Sequence, residues 1–131
     1  MIYILAPFIG WLISGILKFC VNYIRFGSDA KNRIGNGGFP STHTSIIMTT
    51  ITYIGWIEGL NSPILGLGVS VLFIIIIDAT GLRRAVGSHA AELNKLRTEL
   101  RLREKMGHTK FEVLGGLVLG FIVGSVLFWL I

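Results

Sequence analysis

Two of the three histidines stand where a polar stretch gives way to an apolar run, and a carboxylate follows the second at helical spacing. His108 and Glu112 are four residues apart, which puts them on one face at the start of a helix. Glu112 could accept a hydrogen bond from one imidazole nitrogen and leave the other free as a nucleophile or base. The same spacing also fits a simple salt link at a helix N-terminus.

His43 ends the polar sequence Asn-Gly-Gly-Phe-Pro-Ser-Thr-His at 36–43. Pro40 suits a helix start, and Ser41 and Thr42 are good capping residues for the apolar run that follows. A helix N-terminus favours an anion because its N–H groups are unpaired and its dipole end is positive. The pattern predicts a phosphate-sized anion beside a histidine that transfers protons near neutral pH. The alternative is a loop turn with an incidental histidine.

Positive charges flank these histidines in two places. Lys18, Asn22 and Arg25 are spaced by four and three residues, so they share one helical face. A cation within an apolar run usually faces a polar interior, although a lysine side chain can also extend to the membrane interface. Arg83 and Arg84 follow the third apolar run, and we expect this pair to add charge to the same site.

The composition is that of an integral membrane protein. The chain has 131 residues, of which 52% are hydrophobic, and a mean hydropathy of +0.70. Since a span needs about 20 apolar residues, we predict one all-α membrane domain over residues 1–131. Its predicted spans lie at about 2–24, 44–60, 64–82 and 109–131, with a cytoplasmic amphipathic helix at about 89–106. The single cysteine, Cys20, indicates neither a disulfide framework nor a metal site.

The basic residues are clustered, and their positions predict the topology. Eleven of the twelve lie at 25–33 or 83–110, which four spans would place on the same side of the membrane. The positive-inside rule assigns that side to the cytoplasm and both termini to the outside. We attribute the net charge of +5 to this flank beside anionic lipid and expect no nucleic-acid partner. Four short spans leave much surface exposed, so a homodimer is plausible.

The last apolar run contains a glycine repeat. Gly116, Gly120 and Gly124 recur every four residues, a spacing that makes a flat groove for close helix packing. We therefore interpret these glycines as packing residues.

Three elements taken in chain order resemble the signatures of the type 2 phosphatidic acid phosphatase superfamily, which includes the vanadium-dependent haloperoxidases. They are Lys18-x6-Arg25, Pro40-Ser41-Thr42-His43 and His108-x3-Glu112. The resemblance is closer still to a small divergent branch of that superfamily and covers nearly the whole chain. The further elements that indicate this branch are Gly37-Gly38-Phe39, Asp78-Ala79-x-Gly81-x-Arg83-Arg84, Leu93-Asn94 and Gly107-His108-Thr109.

The resemblance implies a phosphohistidine mechanism that needs no metal and no cofactor. His108 would attack phosphorus, Glu112 would orient the His108 imidazole, and His43 would protonate the leaving oxygen. The residues expected to bind the phosphate are Lys18, Arg25, Ser41, Thr42, Arg83 and Arg84. The predicted protein is a phosphatase of a lipid-linked phosphate or diphosphate in the bacterial inner membrane. The alternatives are a non-catalytic lipid-phosphate binder or transporter, and a structural bundle.

The sequence also departs from that superfamily's pattern. Phe26 replaces a proline, Glu112 replaces an aspartate, and Leu102 occupies the position of an arginine in the third element. The Arg83–Arg84 pair could supply the missing charge from another helix. The chain has fewer predicted spans than the superfamily's six-helix core. Its charge pattern places the site at the cytoplasmic face, whereas most characterised bacterial lipid phosphatases of the superfamily act at the outer face.

Overall fold

The computed structural model describes residues 2–33 and 38–131, and the side chains of 3–31 and 38–131. These residues form an all-α membrane bundle, as predicted. A short 3-10 helix at Gly27–Arg33 follows the first helix. The α-helices of the described ranges are α1 (Ile2–Phe26), α2 (Thr42–Glu58), α3 (Pro63–Thr80), α4 (Leu82–Leu96) and α5 (Lys110–Leu130).

Three helical stretches in the described residues are long and apolar enough to cross a membrane. They are Tyr3–Lys31, Pro63–Leu96 and Lys110–Leu130. The predicted second span corresponds to α2, which has 17 residues and packs against α1, α3 and α5. Its buried positions include serine and threonine as well as isoleucine and tyrosine side chains, so α2 is an interior helix of the bundle.

The two helices that carry the site begin with side-chain caps. Ser41 is the N-cap of α2, and its hydroxyl accepts from the N–H of Thr44 at 3.5 Å. Thr109 and Glu112 form a capping box at the start of α5, in which each side chain satisfies a backbone N–H of the other residue. The predicted cap at Ser41 is therefore confirmed.

The α2–α5 contact depends on residues without bulk. We call it the α2–α5 seam and define it by Ser41, Ser45, Thr49, Gly116, Gly120 and Gly124. A Cβ at Gly116 would lie 2.6 Å from the Ser41 carbonyl oxygen, and one at Gly120 would lie 2.7 Å from that of Ser45. The backbones thus approach more closely than any side chain would allow, which confirms the packing role predicted for the glycine repeat.

The polar helix predicted at 89–106 is corrected by the structure. Helix α4 begins earlier, at Leu82, and ends at Leu96. Residues 97–109, which we call the lead-in segment, are non-helical and run to the start of α5. The leucine spacing continues the helical pattern beyond Leu96, but Asn94 hydrogen-bonds Leu102 and Glu104 and draws the chain back toward α4.

Four helix ends meet at one end of the bundle. The N–H of Ser41, at the start of α2, donates to the carbonyl of Glu112 in α5 at 2.9 Å. The N–H of His108 donates to the carbonyl of Ala79, at the end of α3, also at 2.9 Å. The last turns of α1 face the start of α2, where Gly38 approaches Lys18. The distant polar motifs of the sequence are therefore neighbours here.

Candidate active site

His108 and Glu112 form the hydrogen-bonded pair that their spacing suggests. The His108 Nδ1 lies 3.1 Å from the Glu112 Oε2. The same carboxylate oxygen accepts from the N–H of Thr109 at 3.0 Å, and the Thr109 hydroxyl accepts from the N–H of Glu112 at 3.2 Å. The contacts with Thr109 thus hold the carboxylate in position beside the ring. Because Glu112 contacts Nδ1, the His108 Nε2 is the nitrogen that is left to react.

His108 is only 6% exposed, whereas its position at the start of a span predicts a place outside the packed core. Burial lowers the pKa of the His108 imidazole below its ordinary value of 6.5. The hydrogen bond to Glu112 raises this pKa, and the nearby charges of Lys18 and Arg83 lower it again. The net direction of the pKa is downward, which favours the neutral imidazole near pH 7.

His43 lies in the first turn of α2, as predicted, and faces the buried histidine. The ring centroids of His43 and His108 are 6.4 Å apart, with an angle of 60° between the ring planes. His43 is exposed while His108 is buried. The two imidazoles are therefore close neighbours, one buried and the other on the accessible side.

The polar face predicted for α1 is directed at this site. A Cβ at Gly38 would lie 3.7 Å from the Lys18 Cε and 4.0 Å from the Asn22 Oδ1. Asn22 and Arg25 both line the cavity that holds His108. Lys18 is half-buried and contributes to the electrostatics of His108, which places its charge at the site.

A cavity of about 360 Å³ joins the His108–Glu112 pair to Asn22 and Arg25 of α1, whereas His43 and Lys18 are not among its lining residues. Its walls carry the charged and reactive side chains Arg25, Arg84, Lys105, His108 and Glu112, and the aromatic side chains Phe26 and Phe39. The lining therefore combines cationic and aromatic side chains, a combination that fits a phosphate attached to a hydrocarbon chain. The Phe39 ring also stacks on the exposed Phe111 of α5 at 5.4 Å between centroids.

The structure separates the two arginines that the sequence could not distinguish. Arg84 lines the cavity with His108. The Arg83 Nε donates to the Asp78 Oδ2 at 2.5 Å, and Arg83 contributes to the site through its charge. Sequence reasoning missed Lys105, because the helical pattern assigns it to a solvated face. Its position three residues before His108 was the available signal.

The remaining predicted residues lie at the edge of the site. Ser41 is fully buried, and its hydroxyl lies 2.9 Å from that of Thr44, so its observed contacts are those of a helix cap. Thr42 is the first residue of α2 and is half-buried. Asn36 and Gly37, which begin the predicted loop motif, lie outside the described residues.

Comparisons with known proteins place the chain in a family. A family model described as the Divergent PAP2 family matches residues 2–123. The uncharacterized membrane protein YuiD of Bacillus subtilis (strain 168) is 28% identical over 111 residues, and the match covers 70% of each chain. No solved structure matches this chain. Every predicted site residue falls within the range matched by the family model.

Proposed function

Because the chain belongs to the Divergent PAP2 family, we propose that this integral membrane protein hydrolyses a lipid-linked phosphate or diphosphate through a phosphohistidine. The observation that carries the proposal is the buried His108–Glu112 pair with the His43 ring 6.4 Å away. A nucleophile and an orienting carboxylate thus line one cavity, and a second proton-transfer group lies beside the nucleophile.

In the first step the His108 Nε2 attacks phosphorus. A P–N bond forms, the P–O bond to the leaving group breaks, and the leaving oxygen takes the electron pair and a proton from His43. Glu112 holds the His108 Nδ1–H and stabilises the positive charge that develops on the ring. The lowered pKa of His108 favours this step because a protonated imidazole has no lone pair on Nε2.

In the second step water attacks the phosphohistidine. His43, now neutral, accepts a proton from the water as the P–O bond forms. The P–N bond breaks, its electron pair returns to His108, and inorganic phosphate leaves. Both histidines then have their original protonation states.

The cations of the site would neutralise the phosphoryl oxygens. Arg25, Arg84 and Lys105 line the cavity, and Lys18 lies beside Gly38 at its edge. Planar guanidinium groups are well suited to the spread charge of a phosphoryl transition state. We assign Arg84 the role of the arginine that the third element lacks at Leu102.

We also propose that the site faces the cytoplasm of a bacterial inner membrane, with α2 counted as a fourth span. The clustering of eleven basic residues at 25–33 and 83–110 supports this orientation. A cysteine at Thr98, in a Cys20→Ser background, should react with a membrane-impermeant maleimide in inside-out vesicles. Labelling in intact cells instead would reverse the orientation.

A second candidate function is lipid-phosphate binding without turnover. Leu102 favours it, because an arginine is absent from the third element. A binder would keep its affinity for a lipid phosphate after His108→Ala, whereas the phosphatase would lose turnover.

The deciding experiment measures phosphate release by the purified protein in detergent. The substrates are phosphatidate, phosphatidylglycerol phosphate, a prenyl phosphate and a prenyl diphosphate, each with and without chelator. We expect chelator-resistant release that His108→Ala abolishes and His89→Ala retains, because His89 is an exposed histidine of α4. Thermal unfolding of each variant checks that it is folded. Release by folded His108→Ala at the parent rate would refute the phosphohistidine mechanism. No release by the parent, with lipid phosphate still bound, would favour the binder.

A further inference from the structure

The lead-in segment reaches the site without regular secondary structure, and one side chain of α4 holds it. The Asn94 Nδ2 donates to the Leu102 carbonyl at 2.9 Å and to the Glu104 Oε1 at 2.7 Å. The Asn94 Oδ1 accepts from the N–H of Leu102 at 3.0 Å. Both backbone groups of Leu102 are therefore paired with one amide, in the way that a neighbouring strand would pair them.

The next contacts lead from this amide to His108. The Glu104 carbonyl accepts from the N–H of Met106 at 3.1 Å and lies against Gly87 of α4, where a Cβ would collide with the Glu104 carbonyl oxygen. Two residues further on, the N–H of His108 donates to Ala79 at 2.9 Å. The lead-in segment is thus fixed to α4 at one end and to the end of α3 at the other.

The turn before His108 is tightly packed between the two attachments of the lead-in segment, at α4 and at the end of α3. Gly107 has a φ of +77°, and a Cβ there would lie 2.6 Å from the Ala79 carbonyl oxygen and 2.8 Å from the Arg84 Cγ. Glycine is the residue that adopts this conformation without strain. A shift of the lead-in segment at Asn94 would therefore be transmitted through a tight turn to the imidazole.

We propose that Asn94 is a positioning residue that holds the lead-in segment against α4, and that this keeps the His108 imidazole buried and directed at His43. Its effect on turnover rests on the proposed function, but its effect on the burial of His108 does not. At Leu102, where the third element lacks its arginine, the backbone N–H and carbonyl hydrogen-bond the Asn94 side chain.

The first test measures the burial of His108 directly. Diethyl pyrocarbonate acylates accessible neutral imidazoles, and tryptic fragments separate His108 from His89. In the full-length protein in detergent, Asn94→Ala should raise the acylation rate of His108 about tenfold, the change in an opening equilibrium expected from losing a hydrogen bond. The exposed His89 is the internal reference, and Asn61→Ala, at an exposed turn between α2 and α3, is the matched control. An unchanged His108 rate in Asn94→Ala would overturn the proposal.

A donor–acceptor exchange separates positioning from general destabilisation. Asn94→Asp retains an acceptor for the N–H of Leu102 but cannot donate, and it places a carboxylate beside Glu104. In the double variant with Glu104→Gln, the new amide can donate to Asp. We expect Asn94→Asp to expose His108 as Asn94→Ala does, and the double variant to recover at least half of the protection. Failure of the double variant to recover any protection, with its thermal midpoint at the parent value, would contradict positioning through this contact.

Measuring the kinetics of phosphate release tests whether Asn94 affects catalysis. If the parent releases phosphate, Asn94→Ala should lower kcat about tenfold, by misplacing the nucleophile, while KM changes less than twofold. Equal kcat values would overturn the catalytic part of the proposal. If the parent releases none, the proposed function fails, and the acylation rates still decide whether Asn94 holds His108 in place.

Discussion

The α2–α5 seam and the lead-in segment each hold one histidine of the site, but by different physical means. At the seam, glycines bring α5 against the α2 backbone, and His43 lies in the first turn of α2. In the lead-in segment, hydrogen bonds with the Asn94 side chain and to the Ala79 carbonyl fix the chain that carries His108. The seam should therefore be sensitive to added volume, and the lead-in segment to the loss of a donor or acceptor.

The two regions also differ in how completely their polar groups are paired. In the part of the chain that the structure describes, the Thr49 and Thr52 hydroxyl oxygens are buried without a hydrogen-bond partner. The Thr49 backbone and the Thr52 side chain lie against the glycines of α5, whereas the Thr49 hydroxyl faces Gly10 of α1. Leu102 in the lead-in segment has both backbone groups paired. The seam therefore depends mainly on close backbone packing, with a backbone hydrogen bond from Ser41 to Glu112 at its start.

The largest effect is expected from filling the seam. A Cβ at Gly120 would already lie 2.5 Å from the Met48 Cβ and 2.9 Å from the Thr49 backbone nitrogen. Gly120→Leu should lower the free energy of unfolding by about 3 kcal/mol or more, because the contacted atoms are backbone or close to it. Thermal unfolding in detergent measures this. The matched control is Gly15→Leu, since a Cβ at Gly15 would have no neighbouring atom within 4 Å; equal midpoints for the two variants would contradict close packing at the seam.

At His108, removing the charge of its partner Glu112 should affect turnover far more than stability. Glu112→Gln retains a residue that can complete the capping box but removes the negative charge that orients His108. We expect kcat to fall by about 10⁴-fold, as for a triad that loses its carboxylate, with a change in unfolding free energy of less than about 1 kcal/mol. Paired kinetic and thermal measurements test this. A large loss of stability would assign Glu112 mainly to the helix cap.

A smaller effect, of opposite sign, is expected from removing an unpaired hydroxyl on the α1 side of α2. Thr49→Val keeps the side-chain shape and deletes the buried oxygen that has no partner. The free energy of unfolding should rise by about 1 kcal/mol, the order of the cost of an unsatisfied buried group. Thr50→Val is the control, because the Thr50 hydroxyl donates to the Ile46 carbonyl at 3.0 Å, and it should be neutral or destabilising. Destabilisation by Thr49→Val would show that the hydroxyl contributes to the packing of α2 against α1.

The pH dependence tests the burial of His108 and is expected to be the most modest effect. Because burial lowers the pKa of His108, the acid limb of kcat/KM should lie below pH 6.5. The unfolded chain binds more protons than the folded one between the two pKa values, so the stability due to His108 is lost as pH falls through that window. Glu112 raises this pKa, so Glu112→Gln should move the acid limb to still lower pH. A limb at or above pH 6.5 in the parent would contradict a buried nucleophile.

Several features were predictable because they depend on near neighbours in the chain. The cap at Ser41, the pairing of His108 with Glu112 and the glycine groove of α5 each follow from residues within four positions. The end of α4 was not predictable in this way. It depends on contacts of Asn94 eight and ten residues further on, where the leucine spacing still favours a helix.

The sequence by itself determined the membrane class, the family resemblance, the helix starts beside the site and the residue types available for phosphoryl transfer. The tertiary structure decided which of these residues meet. Arg83 and Arg84 are adjacent in the chain, but neighbouring helical positions point about 100° apart, so one pairs with Asp78 and the other lines the cavity. It also decided that His108 is buried and that Lys105 reaches the cavity, because both depend on how the lead-in segment packs between α3 and α4.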